Sequence, residues 1–423
     1  MNEQKFNIEI NSEIGELEAV MLHTPGPEVE NMTPKSVERA LYSDILNLSV
    51  AQQEYEQLSS FLEKITKVYQ LKDLLIKVLD NPAQRNSLVG KICLTENVND
   101  YFDELMEMSS RTLANKLIEG LPARIESLTS FLNDEYYALL PLYNFYFTRD
   151  ASAVVGNNAV ICRMANKVRV RESLIMEAIY AYNPYFNARV INTYEQLPHD
   201  RSVLMEGGDI LVVRDDILVI GNGMRTTSQG IDLLLNRLAK TAPQGKSTIF
   251  VQQLPSSPES FIHLDMVFTM LDVDKCMVFE PLILGDARYS TVQITLDNGK
   301  VEKIRRVPNL LTSLRRLGLD MEAISCGGND EWDQEREQWH SGANFFAFAP
   351  GKVMSYARNE HTLNEMSKHG FEIVTSEEVT SGKVNINKLK KCVVTIVGAE
   401  LARGGGGARC MTLPLKRKAV TWV

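Results

Sequence analysis

The chain is short of the features that mark a nucleic-acid binder, a membrane protein or a disulfide-stapled secreted domain. It has 45 lysines and arginines against 54 aspartates and glutamates, a formal net charge of −9, and polyanions reward a basic face. The one short basic cluster, Lys416, Arg417 and Lys418, reads as a solvated face or the end of a strand, so neither nucleic acid nor an anionic membrane is expected as a partner. No run of about 18 apolar residues occurs, which argues against a membrane-spanning helix. Met1-Asn2-Glu3-Gln4-Lys5-Phe6 lacks a basic stretch followed by an apolar one, so no secretory signal is read there. Only six cysteines are present, Cys93, Cys162, Cys276, Cys326, Cys392 and Cys410, with no Cys-x-x-Cys pair. Such scatter fits reduced thiols better than a disulfide framework or a zinc site, and makes the cytoplasm the expected location. Five of the six are read as small buried hydrophobes.

What remains is an ordinary globular composition, 44% hydrophobic and 23% charged over 423 residues, with ample room for a buried core. Residues 8–23 read as short extended pieces around Gly15, closed by a turn at Pro25-Gly26-Pro27. Thr33-Pro34 has the form of a helix cap followed by proline at the first helical position. Residues 45–79 carry apolar side chains at spacings of three and four, so helices should dominate there. Asn81-Pro82 starts another helix. Residues 98–132 offer two or three more, punctuated by Ser109-Ser110, Gly120 and Pro122, with Pro122 in a first turn that residues 126–131 continue. The block at about 75–137 therefore reads as an all-helical insertion. After Pro141, β-rich runs at 152–161, 202–205, 209–213, 217–220, 248–252, 277–279, 343–348 and 393–397 alternate with helical runs at 171–182, 229–238, 309–317 and 363–369. That alternation is an α/β signature. No fixed-period repeat is legible.

Five local strings gather ionisable groups beside glycine or inside apolar runs: Asn144-Phe-Tyr-Phe-Thr-Arg-Asp150, Glu206-Gly-Gly-Asp209, Phe261-Ile-His-Leu-Asp265, the tail of Arg336-Glu-Gln-Trp-His-Ser-Gly-Ala-Asn344, and Arg403-Gly-Gly-Gly-Gly-Ala-Arg-Cys410. If the third is a strand, His263 and Asp265 share one face, opposite Ile262, Leu264 and Met266. A core histidine paired to a structural aspartate is the plainer alternative. The remaining His and Cys residues show no ligand spacing, so no metal is assigned. Glu206-Gly-Gly-Asp209 follows Val203-Leu204-Met205, which puts a carboxylate where a strand meets a turn, and hairpin chemistry alone could explain it. The tetraglycine is not a phosphate cradle, because Ala408-Arg409-Cys410 follows it instead of Lys-Ser/Thr. It is a loop delivering one thiol, whose pKa the adjacent Arg409 could lower, with a buried structural cysteine as the alternative.

Taken together and in order, these strings resemble the arginine deiminases. The resemblance starts at Ser12-Glu-Ile-Gly-Glu-Leu-Glu-Ala-Val-Met-Leu-His23. It runs through Phe147-Thr-Arg-Asp150, Glu206-Gly-Gly-Asp209, His263-Leu-Asp265 and Asn344 to Arg409-Cys-Met-Thr-Leu-Pro414, nearly the whole chain. It implies a five-bladed α/β propeller (pentein fold) of pseudo-fivefold ββαβ units, forming one catalytic domain over 1–423 that the helical module interrupts. It also implies hydrolysis of L-arginine to L-citrulline and ammonia through a covalent Cys-amidino (thiouronium) intermediate, without a cofactor. By the same resemblance Cys410 is the nucleophile and His263 the general acid and base. Asp150 and Asp265 grip the guanidinium, Glu206 contacts it and holds His263, Asn144, Arg169 and Arg225 bind the α-carboxylate, and Phe147 lines the pocket.

The pattern is not followed everywhere. Arg409 stands where many members have histidine, and Gly405 where many have a second, gating arginine. Gly223-Met224-Arg225 replaces Gly-Glu-Arg, and Ala40-Leu-Tyr-Ser-Asp44 replaces Leu-Leu-Phe-Asp-Asp. Three alternatives stay open: a hydrolase of a related guanidino compound, an amidinotransferase, or an arginine-binding protein without turnover. Assembly into a homo-oligomer is also left open.

Overall fold

The computed structural model describes residues 5–33, 37, 42–132, 136–192, 202–240, 245–285 and 288–422. Pro34, and Ala40 and Leu41 of the Ala40–Asp44 string, lie outside the described residues.

The structure is mixed α/β. Among the described residues, five sheets have three or more strands, and each contains the same three-stranded arrangement: an antiparallel pair, a helix, and a third strand parallel to the middle one. Ser152–Val155 pairs with Asn158–Ile161, then Arg189–Asn192 returns parallel after the helix Val170–Tyr182. Ile210–Arg214, Ile217–Asn222 and Lys246–Gln253 repeat this around Ser228–Leu238, with the hairpin Thr291–Asp297 and Lys300–Val307 added at the edge. Phe268–Asp272, Lys275–Val278 and Glu322–Ser325 form the third unit. Phe346–Ala349, Lys352–Tyr356 and Cys392–Ile396 form the fourth. The fifth joins the two ends of the chain, pairing Leu413–Arg417 with Leu17–Leu22 and then Lys67–Gln70. A parallel return needs a crossover, and a helix supplies it while covering one face of its sheet.

The helices follow local rules. Asn81 caps Pro82–Glu96 by accepting from the amides of Ala83 and Gln84, with Pro82 at the first helical position. In Leu71–Leu79 the buried residues Leu71, Leu74, Leu75, Val78 and Leu79 make one stripe, each leucine contributing ~1.5–3 kcal/mol on full burial. That stripe packs into the same core as Val154, Val160 and Ile179 of the first sheet unit, so the helical block shares a core with its neighbour. The boundary read near 75 falls inside this helix.

Several expectations are corrected. Lys67–Gln70 is a strand within a stretch read as helical. Residues 202–205 form no strand. Leu121–Pro122 pairs with Tyr137–Leu139, so Pro122 is not in a helical first turn. Pro27 opens the short helix Pro27–Glu30 instead of only closing a turn. His263 precedes a single 3-10 turn, Leu264–Met266, so alternation along a strand is not what orients His263 and Asp265. No helix among the described residues is long and apolar enough to cross a membrane.

Candidate active site

All five strings occupy the same place in their sheet units, a tight turn just before the first strand. The turns close through Asp150 N–H to Phe147 O, Asp209 N–H to Glu206 O, Met266 N–H to His263 O, Asn344 N–H to Ser341 O and Thr412 N–H to Arg409 O. The strands begin at Ser152, Ile210, Phe268, Phe346 and Leu413.

A cavity of about 170 Å³ opens against three of these turns, those of Asp150, His263 and Cys410. Asn144, Phe147, Asp150, Arg169, Arg225, His263 and Cys410 line it, which is seven of the nine residues singled out from the sequence. Glu206 and Asp265 are wholly buried behind that wall. The Glu206-Gly-Gly-Asp209 turn is shaped to receive the imidazole: a Cβ at Gly208 would come within 2.5 Å of His263 Nδ1. Gly405 has φ +81 and open space around it, a left-handed conformation that a side chain would strain.

Along the floor the charges alternate. Glu172 accepts from Arg169 Nε at 3.0 Å and Nη2 at 2.8 Å, and Arg169 Nη1 reaches Asp150 Oδ2 at 2.8 Å. Asp150 Oδ1 stands 3.7 Å from His263 Nδ1, His263 Nε2 is 2.8 Å from Glu206 Oε2, and Glu206 Oε1 is 3.5 Å from Arg225. Burial alone would lower the imidazole pKa, but Asp150, Glu206 and Asp209 raise it to about 9. Burial would raise Glu206, yet Arg225 and His263 hold it down at about 2. Glu172 is pushed up to about 7 because burial outweighs its pairing with Arg169.

The Cys410 sulfur lies 3.3 Å from Asn344 Nδ2 and 3.7 Å from Asp265 Oδ2. Burial, then the charges of Asp265 and Asp150, push its pKa well above 9, with a smaller opposing effect from Arg409. The expected lowering of the thiol by Arg409 is present but outweighed, for a geometric reason. Its guanidinium forks onto Glu13 at 3.0 and 3.1 Å, gives Nη1 to Asp265 Oδ2 at 2.8 Å, and is spent on carboxylates, not on sulfur. Against the effect of burial, Arg409 and Arg149 hold Glu13 at about 2.

Three buried polar atoms around the thiol make no hydrogen bond within the protein: Asp150 Oδ1, Asp265 Oδ1 and His263 Nδ1. Asp150 and His263 are part of the cavity wall, and Asp265 lies buried behind it. Among the described residues no group of three His, Cys, Asp or Glu side chains is arranged to hold a metal ion. The other five cysteines are buried and unpaired, as read.

Sequence reasoning gave no role to Glu13, Glu172 or Asp209, and named Asn344 without one. Glu172 had a signal, because it lies three residues after Arg169, on the same helical face. Glu13 had none, since it meets Arg409 from the other end of the chain. Arg417, in a cluster read as a solvated face or the end of a strand, ends the strand Leu413–Arg417 and is buried, with Nη1 donating to Gly15 O at 2.7 Å.

The chain is similar to known proteins over nearly its whole length. The arginine deiminase of Bacillus cereus is 33% identical over 436 residues, covering 98% of this chain and all of that protein. The arginine deiminase of Borreliella afzelii is 32% identical over 443 residues, covering 99% and 100%. Two solved structures are alike in fold. One is the product-bound N-terminal domain of ArgZ, an arginine dihydrolase from the ornithine-ammonia cycle in cyanobacteria, with 14% identity and a TM-score of 0.52 over 94% of this chain and 97% of that one. The other is DDAH from Pseudomonas aeruginosa complexed with citrulline, with 12% identity and a TM-score of 0.50 over 94% and 99%. The family model described as arginine deiminase matches residues 38–417, and with relatives this similar end to end the chain belongs to the arginine deiminase family.

Proposed function

We propose that the chain hydrolyses free L-arginine to L-citrulline and ammonia, with Cys410 as nucleophile and His263 as the acid and base. The observation that carries this is one buried sulfur, 3.7 Å from Asp265 Oδ2, at a cavity that Asp150 and His263 also line, with Asp150 Oδ1 and Asp265 Oδ1 free of hydrogen bonds within the protein. A guanidinium carbon is a poor electrophile because its charge is delocalised. It reacts only when the planar cation is held with that carbon facing a strong nucleophile, and carboxylates hold it through charge-assisted, fork-like bonds.

Burial and two carboxylates keep the thiol protonated, and the arriving cation offsets the carboxylates, so substrate binding favours loss of the thiol proton to solvent and leaves the thiolate. Sulfur then bonds to the guanidinium carbon. His263, protonated at neutral pH, gives its proton to the departing nitrogen, the C–N bond breaks, and ammonia leaves an amidino group on Cys410. The now neutral ring takes a proton from water, the hydroxyl adds to the same carbon, and the C–S bond breaks as the hydroxyl proton passes to the released ammonia or solvent, giving citrulline and the thiolate. Such proton transfers contribute roughly 10²- to 10⁴-fold. Glu206 holds the imidazole throughout. Arg225, partly exposed and loosely paired, meets the substrate α-carboxylate. Arg169, which lines the same cavity and is held by Glu172 and Asp150, adds a second cation for that carboxylate, and Asn144 and Phe147 complete the pocket. No cofactor enters the scheme, and the enzyme is placed in the cytoplasm.

The five equivalent sheet units support a ring of five blades closed by the pairing of the two chain ends, with the helices from 71 to 132 as a module inserted in one catalytic domain. Purified protein given L-arginine should form citrulline and ammonia in equal amounts. Agmatine and methylated arginines serve as competing substrates and glycine as an amine acceptor. Ornithine appearing only with glycine would replace hydrolysis by amidino transfer, and binding without either product would remove the catalytic reading.

A further inference from the structure

We propose that Asp209 is a positioning residue for this reaction: its carboxylate fixes the turn that carries His263 and supplies part of the negative charge facing the imidazole. The inference rests on the hydrolytic reading above.

Asp209 closes its own turn at the place that Asp150 and Asn344 hold in theirs, and it is fully buried. Its Oδ1 accepts from the backbone N–H of Leu264 at 2.8 Å, the amide that directly follows His263. The 3-10 turn Leu264–Met266 receives no cap from the side chain of His263, which precedes it in extended conformation. Asp209 therefore caps, from another segment, the turn on which the acid–base group is mounted. The fold makes room for this contact at Gly221, in the strand Ile217–Asn222, where a Cβ would collide with Asp209 Oδ1 and come within 3.0 Å of Leu264 Cβ.

A cap by itself needs no charge. Asparagine or serine would accept the same amide, and a buried carboxylate is expensive unless a positive group offsets it. Among the described residues no lysine or arginine forms an ion pair with Asp209; the imidazole of His263 packs against the neighbouring Gly208, and the Asp209 charge favours its protonated form. Other groups around that ring are Glu206 and Asp150, then Arg169, Arg225, Cys410 and Glu259 across the cavity. From the packed strand Phe268–Asp272 the only titratable side chain is Asp272, at the far end and paired with Lys391. Burial, opposed by the imidazolium, puts the Asp209 pKa at about 6.

Asp209→Asn and Asp209→Ala separate the two parts of the proposal. Asparagine keeps an acceptor for Leu264 and loses the charge. Its kcat should stay within about threefold of wild type below pH 6, where the native carboxylate is itself protonated. Its alkaline limb should move to lower pH by about half a unit or more, since a shift in the imidazole pKa displaces the limb one for one. Alanine loses both, so kcat should fall by ~10- to 100-fold at every pH while KM for arginine changes little, because sub-ångström misplacement of a reacting group is felt mainly in the chemical step. An Asn profile that superimposes on wild type, or an Ala enzyme with native kcat, overturns the proposal. If the alanine chain does not fold, the asparagine profile decides alone. A wild-type protein that forms no citrulline would instead remove the parent reading, which keeps the two failures distinct.

Discussion

Arg409 Nη1 lies 2.8 Å from Asp265 Oδ2, and that same oxygen is 3.7 Å from the Cys410 sulfur. The cation next to the nucleophile in sequence thus reaches it only through a carboxylate. It holds Asp265 in place through Oδ2, while Oδ1 makes no hydrogen bond within the protein.

Removing that cation should be costly. Arg409→Ala leaves Glu13 and Asp265 buried without their partner, an effect of about 3–5 kcal/mol in comparable buried pairs. Glu13 is depressed from 4.5 to about 2, so its contribution is present above 4.5 and is lost as pH falls through about 2. Urea unfolding should show the largest gap between variant and wild type near neutrality, narrowing in acid. An equal gap at pH 3 and pH 7 would contradict the pairing.

Cys410→Ser should lower citrulline formation by at least about 10³-fold while the protein melts near the native temperature, since a serine hydroxyl is a far weaker nucleophile here. In His263→Ala, intact-mass spectrometry after mixing with arginine should detect any amidino adduct whose hydrolysis has stalled. Turnover retained in either variant contradicts the assignment.

The pH profile follows from the two partners of the imidazole. With His263 at about 9 and Glu206 at about 2, kcat/KM should decline as pH rises through about 9, where the acid form is lost. Glu206→Gln should shift this limb to lower pH. For stability, the raised histidine contributes fully below 6.5 and loses that contribution as pH rises through 9. The depressed glutamate contributes above 4.5 and loses its share as pH falls through 2, so the pair is most stabilising between 4.5 and 6.5. A thermal-melt series across pH tests both signs.

Gly208→Ala should leave a folded protein that is a poor enzyme. The added methyl meets the His263 ring at 2.5 Å, and overpacking of this kind costs ~1–3 kcal/mol while the ring moves aside. A kcat reduced by about 100-fold with an intact far-UV spectrum is the expected result. Native kcat would show that the ring tolerates displacement.

The two cavity arginines should behave differently. Arg225 is partly exposed, with one contact at 3.5 Å. Arg225→Ala should raise KM for arginine by ~10-fold or more through loss of a charge-assisted bond, with little change in melting temperature. Arg169 is buried between Glu172 and Asp150, and Arg169→Ala should destabilise the fold itself. Matching thermal effects in the two variants would contradict this division.

Much of the site was legible without coordinates because the reacting groups sit in short strings whose composition is unusual: a thiol after four glycines, His-x-Asp between apolar residues, Glu-Gly-Gly-Asp. The α/β alternation and most strands and helices after residue 150 were legible for a similar reason, since burial imposes periods of 2 and 3.6 on the side chains. Strand boundaries failed where tight turns replaced extended chain. At 202–205 and 262–266 an apolar run reads as a strand, but the first bonds only to single groups of Arg163 and Thr227 and the second closes on itself in tight turns.

The sequence by itself therefore determined which groups are available for chemistry and in what order they come along the chain. It did not determine who faces whom. The equivalence of the five turns is absent from the residues, because each unit shares only a backbone path with the others. The pairing of Arg409 with Glu13 joins residues 396 apart in sequence, and the cap from Asp209 onto Leu264 spans 55. No local pattern records such contacts, since they arise only when separate sheets pack and their buried charges must find partners in a medium that water does not screen.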